Sequence, residues 1–395
     1  MPNYTYLIVG GGMTAASAVQ GIREVDREGS IGVLSAENSP PYDRPPLSKG
    51  LWKGAPRESI WRHVEDNGVT LHLGRKANRL DPVKKRVIDD EGTVYGYGKL
   101  LLATGGTPRR LPVDGEDVIY FRTVADYELL RALGPTAQRV AVIGGGFIGS
   151  ELAAALALNG KKVTMIFPDR GICGRMFPED LARFLNEFYR EKGVEILAGS
   201  RVESVERKGG RTVLGIRGDP GAREIVADGV VAGIGIVPNV ELAQAAGIDV
   251  ENGIRVDASL RTSQPDVYAA GDVANFFNPA LGRRLRVEHE DNANTMGEMA
   301  GQAMAGRDVT YDHLSFFYSD LFELGYEAVG DLDARLETVA DWKEPNREGV
   351  VYYLGDGRVR GVLLWNVWEQ VDSARKLISE PGPIRSESLK GRLAA

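Results

Sequence analysis

Apolar residues in this chain gather in short runs closed off by glycine or polar residues, and two of these runs are built alike. Tyr6-Leu7-Ile8-Val9 and Val140-Ala141-Val142-Ile143 are continuous apolar stretches of strand length, the pattern of a strand covered on both faces. Each ends in a glycine cluster, Gly10-Gly11-Gly12-Met13-Thr14-Ala15 and Gly144-Gly145-Gly146-Phe147-Ile148-Gly149. Each cluster opens a small-residue helix, Ala15 to Ile22 and Leu152 to Leu158, and a further strand follows, Ile31 to Ala36 and Val163 to Pro168. Strand, tight turn, helix and strand is the opening of a parallel α/β domain, so the chain is predicted to hold two of them. The C-terminal part has another rhythm. From Tyr311 it reads as strands such as Val350 to Leu354 and Val359 to Trp365, joined at Gly355-Asp356-Gly357, then a helix from Glu369 to Ile378. That is a small α+β domain, with Pro381 onward expected to fray.

Both glycine clusters carry the spacing of a dinucleotide-binding turn. Gly10 and Gly144 permit the tight turn, Gly12 and Gly146 let the backbone approach a pyrophosphate, and Ala15 or Gly149 lets the helix pack closely on its strand. The helix N-terminus then meets the phosphate charge. One copy is weak evidence; two in matching contexts are strong. An acidic residue should close the second strand and accept hydrogen bonds from the ribose hydroxyls. Glu37 and Asp169 stand there, 27 and 25 residues after the first glycine of each cluster; the alternative is a solvated turn carboxylate. A carboxylate at 169 favours the 2′-hydroxyl of NADH over the 2′-phosphate of NADPH, and Arg170 beside it would work the other way.

Between the two clusters lies Pro41-Tyr42-Asp43-Arg44-Pro45-Pro46-Leu47-Ser48-Lys49-Gly50, too rich in proline for a central strand. It would hold charges rigidly: Arg44 to neutralise a pyrophosphate and Lys49 to place an ammonium at a ring system. A plain surface loop is the competing reading. The string PYDRPPLSK resembles the signature of the ferredoxin-reductase-type flavoproteins, a branch of the FAD-dependent pyridine nucleotide oxidoreductases. Leu102-Ala103-Thr104-Gly105-Gly106 and Asp266 to Ala274 are similar in the same family. Within it the likeness is to apoptosis-inducing factor and its relatives, carried by Gly146 to Leu152, Phe167-Pro168-Asp169, Arg286-Val287-Glu288-His289, Ser319-Asp320-Leu321 and Gly361 to Asn366.

The resemblance implies that Arg44 and Lys49 bind FAD, together with Ala103, Thr104, Gly105, Gly271 and Asp272, the last at the ribityl and phosphate region. It implies that Glu151 pairs with Lys49 beside flavin N5, that Phe147 lies where nicotinamide arrives, and that Glu288 and His289 sit near the pyrimidine edge. Tyr318, counted among the cofactor residues, stands where the family has Trp. The regulatory insertion and mitochondrial leader of the animal members have no counterpart here, so functions resting on them are not expected.

Composition narrows the partners. A chain of 395 residues with net charge −7 argues against nucleic acid as the main ligand. No apolar run reaches the ~20 residues of a membrane span, and a single cysteine, Cys173, excludes an internal disulfide, so a cytoplasmic setting is expected. Segment 38–49 contains no cysteine, which excludes a thiolate touching the flavin there; Cys173 reads as a small loop residue. His63, His72, His289 and His313 lack ligand spacing, so no metal is expected.

The expected organisation is α/β: an FAD-binding domain from 1–115 and 239–308, an NAD(H)-binding domain inserted at 117–238, and a C-terminal α+β interface domain at 311–395. The expected function is hydride transfer from NADH to flavin N5, with Lys49, Glu151 and Phe147 as the catalytic set and electrons passing to a ferredoxin, a rubredoxin or a quinone. Arg283, Arg284 and Arg286 form a basic run that would receive an acidic carrier, or simply a solvated charge run. The alternative function is a slow NADH-sensing flavoprotein with redox-controlled dimerisation or partner binding; a homodimer is a possible assembly.

Overall fold

The computed structural model describes residues 1–113, 115, 117–218 and 221–393. The chain packs as two compact units. The first takes Met1–Asp43, Glu58–Thr107 and Val237–Phe316; the second takes Arg44–Arg57, Pro108–Ile236 and the chain from Phe317 onward. The proline segment after Asp43 and the C-terminal region thus pack with the central stretch.

In the first unit the strand Asn3–Val9 lies between two parallel neighbours, Ile31–Leu34 and Val94–Leu102. Val69–His72 extends the sheet beyond Ile31–Leu34, and Val267–Ala269 runs parallel to Val94–Leu102. A central parallel strand must be apolar on both faces, and Leu7 and Ile8 are wholly buried. The helix Met13–Val25 packs on Glu290–Met304 through glycines that leave no room for a side chain. A Cβ on Gly297 would lie 2.4 Å from Thr14 O, and one on Gly301 would lie 2.1 Å from Ala18 O. The shared core joins residues of both ends of this unit, such as Ile8, Val19, Leu101, Tyr268 and Met296.

The second unit repeats the plan. Its parallel sheet runs in the order Glu195–Ala198, Lys162–Phe167, Arg139–Ile143, Gly229–Ala232 and Val118–Tyr120. An antiparallel layer of Arg201–Lys208, Arg211–Gly218 and Gly221–Ala227 is added to it. The architecture is therefore α/β with two Rossmann-like folds, the second lying in the chain between the two halves of the first. The C-terminal region is a separate antiparallel sheet ordered Phe316–Leu321, Leu324–Gly330, Arg358–Trp365, Glu348–Gly355 and Glu337–Glu344, followed by the helix Val371–Ser379. Its hairpin turns at Asp356 and Gly357, with φ of 54° and 68°, the left-handed pair that matches strand twist.

The tail does not fray. Leu389 and Leu393 are buried, Gly391 N donates to Asp341 Oδ2 at 2.7 Å and Leu393 N to Tyr352 Oη at 3.2 Å. Two leucines four residues apart give this segment an apolar face that the sheet takes up. The strand expected to reach Ala36 stops at Leu34, and the one expected to reach Pro168 stops at Phe167.

Candidate functional site

The two glycine turns are alike in detail. Gly10 has φ 122° and a Cβ there would stand 2.0 Å from Ala103 O; Gly144 has φ 116° and its Cβ would stand 2.3 Å from Gly233 O. Only glycine meets both demands. Gly12 and Gly146 are the N-caps of Met13–Val25 and Phe147–Leu158, and neither helix has a side-chain cap or an acidic residue in its first turn. Two helix N-termini thus keep their positive ends for an external anion. The space a Cβ would take at Gly146 meets no atom within 4 Å, whereas one at Gly149 would lie 2.0 Å from Gly144 O. The first leaves room for a phosphate, and the second brings helix and turn together. Ala15 is wholly buried at the corresponding place in the first unit.

The rest of the first unit arranges itself around its turn. Ala103 N donates to Val9 O at 2.8 Å. Asn239, which the sequence reading passed over, clasps the segment after it. Its Nδ2 donates to Thr104 O at 2.9 Å, its backbone N to Gly105 O at 3.0 Å, and its Oδ1 accepts from Thr107 Oγ1 at 2.7 Å. Glu37 lies beyond the second strand and accepts from Tyr42 Oη at 2.6 Å. Gly271, at φ 77°, starts a short 3-10 turn holding Asp272. Arg286 ties Asp272 to Glu288: Nη1 donates to Asp272 O at 2.9 Å, and Nη2 sits 2.7 Å from Glu288 Oε1. His289 is the N-cap of Glu290–Met304.

Arg286 is therefore committed internally, and so is Arg284, which donates to Val256 O and to Asn275 O and Oδ1. This corrects the expected basic run. Arg284, in the short strand Arg283–Leu285, and Arg286, just after it, turn inward to the chain's own carbonyls, so 283–286 does not present three arginines to a carrier.

In the second unit Lys49, Glu151 and Tyr318 come together, and Phe147 lies one turn before Glu151 on the helix Phe147–Leu158. Glu151 is buried and its carboxylate accepts three donors: Ser48 Oγ at 2.6 Å on Oε2, Ser319 Oγ at 2.6 Å on Oε1, and Lys49 Nζ at 3.3 Å on Oε1. Lys49 Nζ also donates to Tyr318 O at 3.2 Å and lies 3.7 Å from the Tyr318 ring centre, a cation–π contact. Phe147 meets Phe317 edge-on at 5.1 Å, and Tyr326, 6.4 Å from Phe147, stacks on Trp365. Arg44 Nη1 donates to Arg122 O at 2.8 Å.

Asp169 accepts from Arg175 Nε at 3.2 Å, whereas Arg170 points to Glu179, 3.8 Å away. The cation beside this carboxylate is thus Arg175 and not the adjacent Arg170, because Gly171 to Gly174 curl back under the glycine turn. Cys173 lies in that curl at φ 54°, its N donating to Gly145 O at 2.7 Å. It is buried, and burial pushes its thiol up to about 12. No group of three or more His, Cys, Asp or Glu suited to a metal occurs among the described residues. No helix among them is long and apolar enough to cross a membrane.

The model of the pyridine nucleotide-disulphide oxidoreductase family matches residues 4–297. The model described as apoptosis-inducing factor, mitochondrion-associated, C-term matches residues 300–348 and 341–380. The ferredoxin–NAD(+) reductase component of the anthranilate 1,2-dioxygenase system of Burkholderia cepacia is 37% identical over 387 residues, covering 95% of this chain and 94% of that protein. Apoptosis-inducing factor 1, mitochondrial, of Dictyostelium discoideum is 33% identical over 428 residues, covering 95% of this chain and 78% of that protein. In the crystal structure of the covalent putidaredoxin reductase–putidaredoxin complex, a chain superposes with TM-score 0.88 at 30% identity, covering 98% of this chain and 95% of that one.

Proposed function

Because the chain belongs to the pyridine nucleotide-disulphide oxidoreductase family, we propose that it is an NADH-dependent FAD oxidoreductase whose electron acceptor is a ferredoxin-type protein. The observation that carries this reading is the pair of glycine turns, each opening a helix with neither a side-chain cap nor an acid in its first turn. Two phosphate-bearing cofactors fit them, FAD in the first unit and NAD(H) in the second. FAD, when bound, supplies the redox chemistry, taking two electrons with a hydride and giving them up singly.

The chain's own residues supply binding, orientation and charge. Glu37, Asp272 and the Asn239-clasped turn at Thr104-Gly105 are proposed to hold FAD, with Glu288 and His289 at its polar edge. Gly144, Gly146 and Gly149 would seat the NADH pyrophosphate, and Asp169 would accept a ribose 2′-hydroxyl that a phosphate would replace at an electrostatic cost. Phe147 would offer the ring against which nicotinamide settles. Lys49, held by Glu151, is the fixed cation that would stabilise negative charge on the reduced cofactor, and Arg44 would add a second charge toward phosphate. None of these steps needs a thiol, which agrees with the buried, strongly protonated Cys173. One buried cysteine and the lack of a crossing helix among the described residues support a cytoplasmic setting.

A second reading, an NADH-sensing flavoprotein with a redox-dependent dimer, draws on the C-terminal match at 300–380. The test is to reduce the FAD-loaded protein with NADH without oxygen, then add ferredoxin, rubredoxin, quinone and air separately while following flavin absorbance. Rapid recovery with ferredoxin supports the reductase. Recovery with none, alongside NADH-dependent dimerisation, supports the sensor.

A further inference from the structure

Glu151 is buried with a carboxylate that Lys49 alone does not satisfy. Its Oε1 takes the Lys49 ammonium at 3.3 Å, a loose contact, while a serine hydroxyl reaches each carboxylate oxygen at 2.6 Å, Ser319 on Oε1 and Ser48 on Oε2. Ser48 and Ser319 are both buried, and they stand 103 and 168 residues from Glu151 in the chain. The Ser48 hydroxyl has one proton, and its other acceptor, Pro45 O, is 3.5 Å away, so the proton goes to Glu151. Charge-assisted O–H donors at this distance are the stronger class of hydrogen bond. The two serines are also the chain neighbours of the groups that hold Lys49: Ser48 precedes Lys49 itself, and Ser319 follows Tyr318, whose carbonyl and ring both meet the ammonium.

We infer that Ser48 and Ser319 are positioning residues for Lys49, acting through Glu151. The hydroxyls fix the plane of the carboxylate, and the carboxylate fixes the ammonium. Ser319 makes the C-terminal sheet part of this arrangement, so that sheet contributes to the chemistry and not only to an outer surface. Without the hydroxyls, Glu151 keeps its charge contact but loses the two donors that set its rotamer, and the ammonium swings with it.

The inference rests on the proposed role of Lys49, and the experiment separates the two. Ser48→Ala, Ser319→Ala, the double variant, Ser319→Thr and Lys49→Ala are prepared with FAD. Each is measured for anaerobic flavin reduction by NADH, for KM toward NADH and for flavin midpoint potential. Each serine-to-alanine variant should slow reduction measurably, up to about the hundredfold that a 1 Å misplacement costs. The potential should move negative while KM stays unchanged, and Ser319→Thr should restore both rate and potential. In a Lys49→Ala background the serine changes should have no further effect on potential. Wild-type rates and potentials in both serine variants, with Lys49→Ala altered, overturn the inference alone. A serine effect that persists undiminished without Lys49 also overturns it, since that would be a structural role. If Lys49→Ala itself changes neither rate nor potential, the proposed role of Lys49 falls, and the inference falls with it.

Discussion

Arg175 donates from Nε to Asp169 Oδ1 across 3.2 Å, although six residues separate them and Arg170 is the nearer in sequence. The pair places a carboxylate and a guanidinium together just past the strand end where the proposed NADH would present its adenosine ribose. Asp169 should select NADH, and Arg175 should moderate that selection by offering charge to a 2′-phosphate. Asp169→Ala is expected to narrow the NADH preference, and Arg175→Ala to widen it, each by a few-fold, since an exposed charge contact is worth about 0.2 to 1 kcal/mol. The ratio of kcat/KM for the two cofactors checks both directions. Better use of NADPH than NADH by the native protein would refute the assignment.

Cys173 should be chemically silent. With the thiol held up to about 12, essentially no thiolate exists at neutral pH. Cys173→Ser should reduce dye acceptors normally, and native protein should resist alkylation until it unfolds. From the ordinary thiol value of 9.0 up to about 12, the unfolded chain loses a proton that the native chain keeps. This contribution is therefore complete below pH 9 and falls away as pH rises, by at most about 1.4 kcal/mol per pH unit. Tyr6, Tyr95 and Tyr97, raised to about 12 by burial, act in the same direction. Denaturant titrations at pH 8 and 10.5 should show a loss of stability that is smaller in Cys173→Ser.

What could be read before the structure was local. The turns at Gly10 and Gly144, the acids at Glu37 and Asp169, and the hairpin at Asp356-Gly357 each rest on neighbours in sequence, where backbone sterics leave few choices. The pairing of Lys49 with Glu151 came through resemblance. Spacing could not have produced it, because its members are a hundred residues apart. The hydroxyls of Ser48 and Ser319, the clasp of Asn239 on Thr104 and the bond from Arg286 to Asp272 depend on long-range packing, which no local pattern encodes. The basic run at 283–286 misled because charge in sequence does not say whether a backbone carbonyl waits to receive it. Leu389 and Leu393, four apart, were a legible signal of a docked tail that its polar surroundings hid.

The docked tail makes its own prediction. Leu389 is wholly buried, so Leu389→Ala should destabilise the protein by about 2 to 5 kcal/mol, as for other buried leucines. Lys390→Ala, at an exposed neighbour, should cost little. Equilibrium denaturation of the two variants checks this, and equal stability would mean that the tail contributes no packing.

Lys49 and Glu151 should be separable from Arg44 by their effects. Removing one member of a buried ion pair costs about 3 to 5 kcal/mol, and Glu151→Ala also strands two hydroxyls. Lys49→Ala and Glu151→Ala should slow flavin reduction and make the flavin harder to reduce while FAD stays bound. Arg44→Ala should instead weaken FAD retention, seen as a lower flavin-to-protein absorbance ratio after gel filtration. Loss of FAD from Lys49→Ala, with Arg44→Ala fully loaded, would reverse the two assignments.

Electron transfer from this protein to a ferredoxin-type carrier separates the reductase from the sensor. It is tested most directly by rapid mixing of NADH-reduced, FAD-loaded protein with an oxidised ferredoxin under anaerobic conditions, following flavin and iron–sulfur absorbance together. Flavin reoxidation is expected in step with ferredoxin reduction, two carriers reduced per flavin, at a rate that saturates with ferredoxin and with an association state unchanged by NADH. A reduced flavin that persists with bound NAD as a long-wavelength charge-transfer species, ignores ferredoxin and drives dimerisation would contradict it.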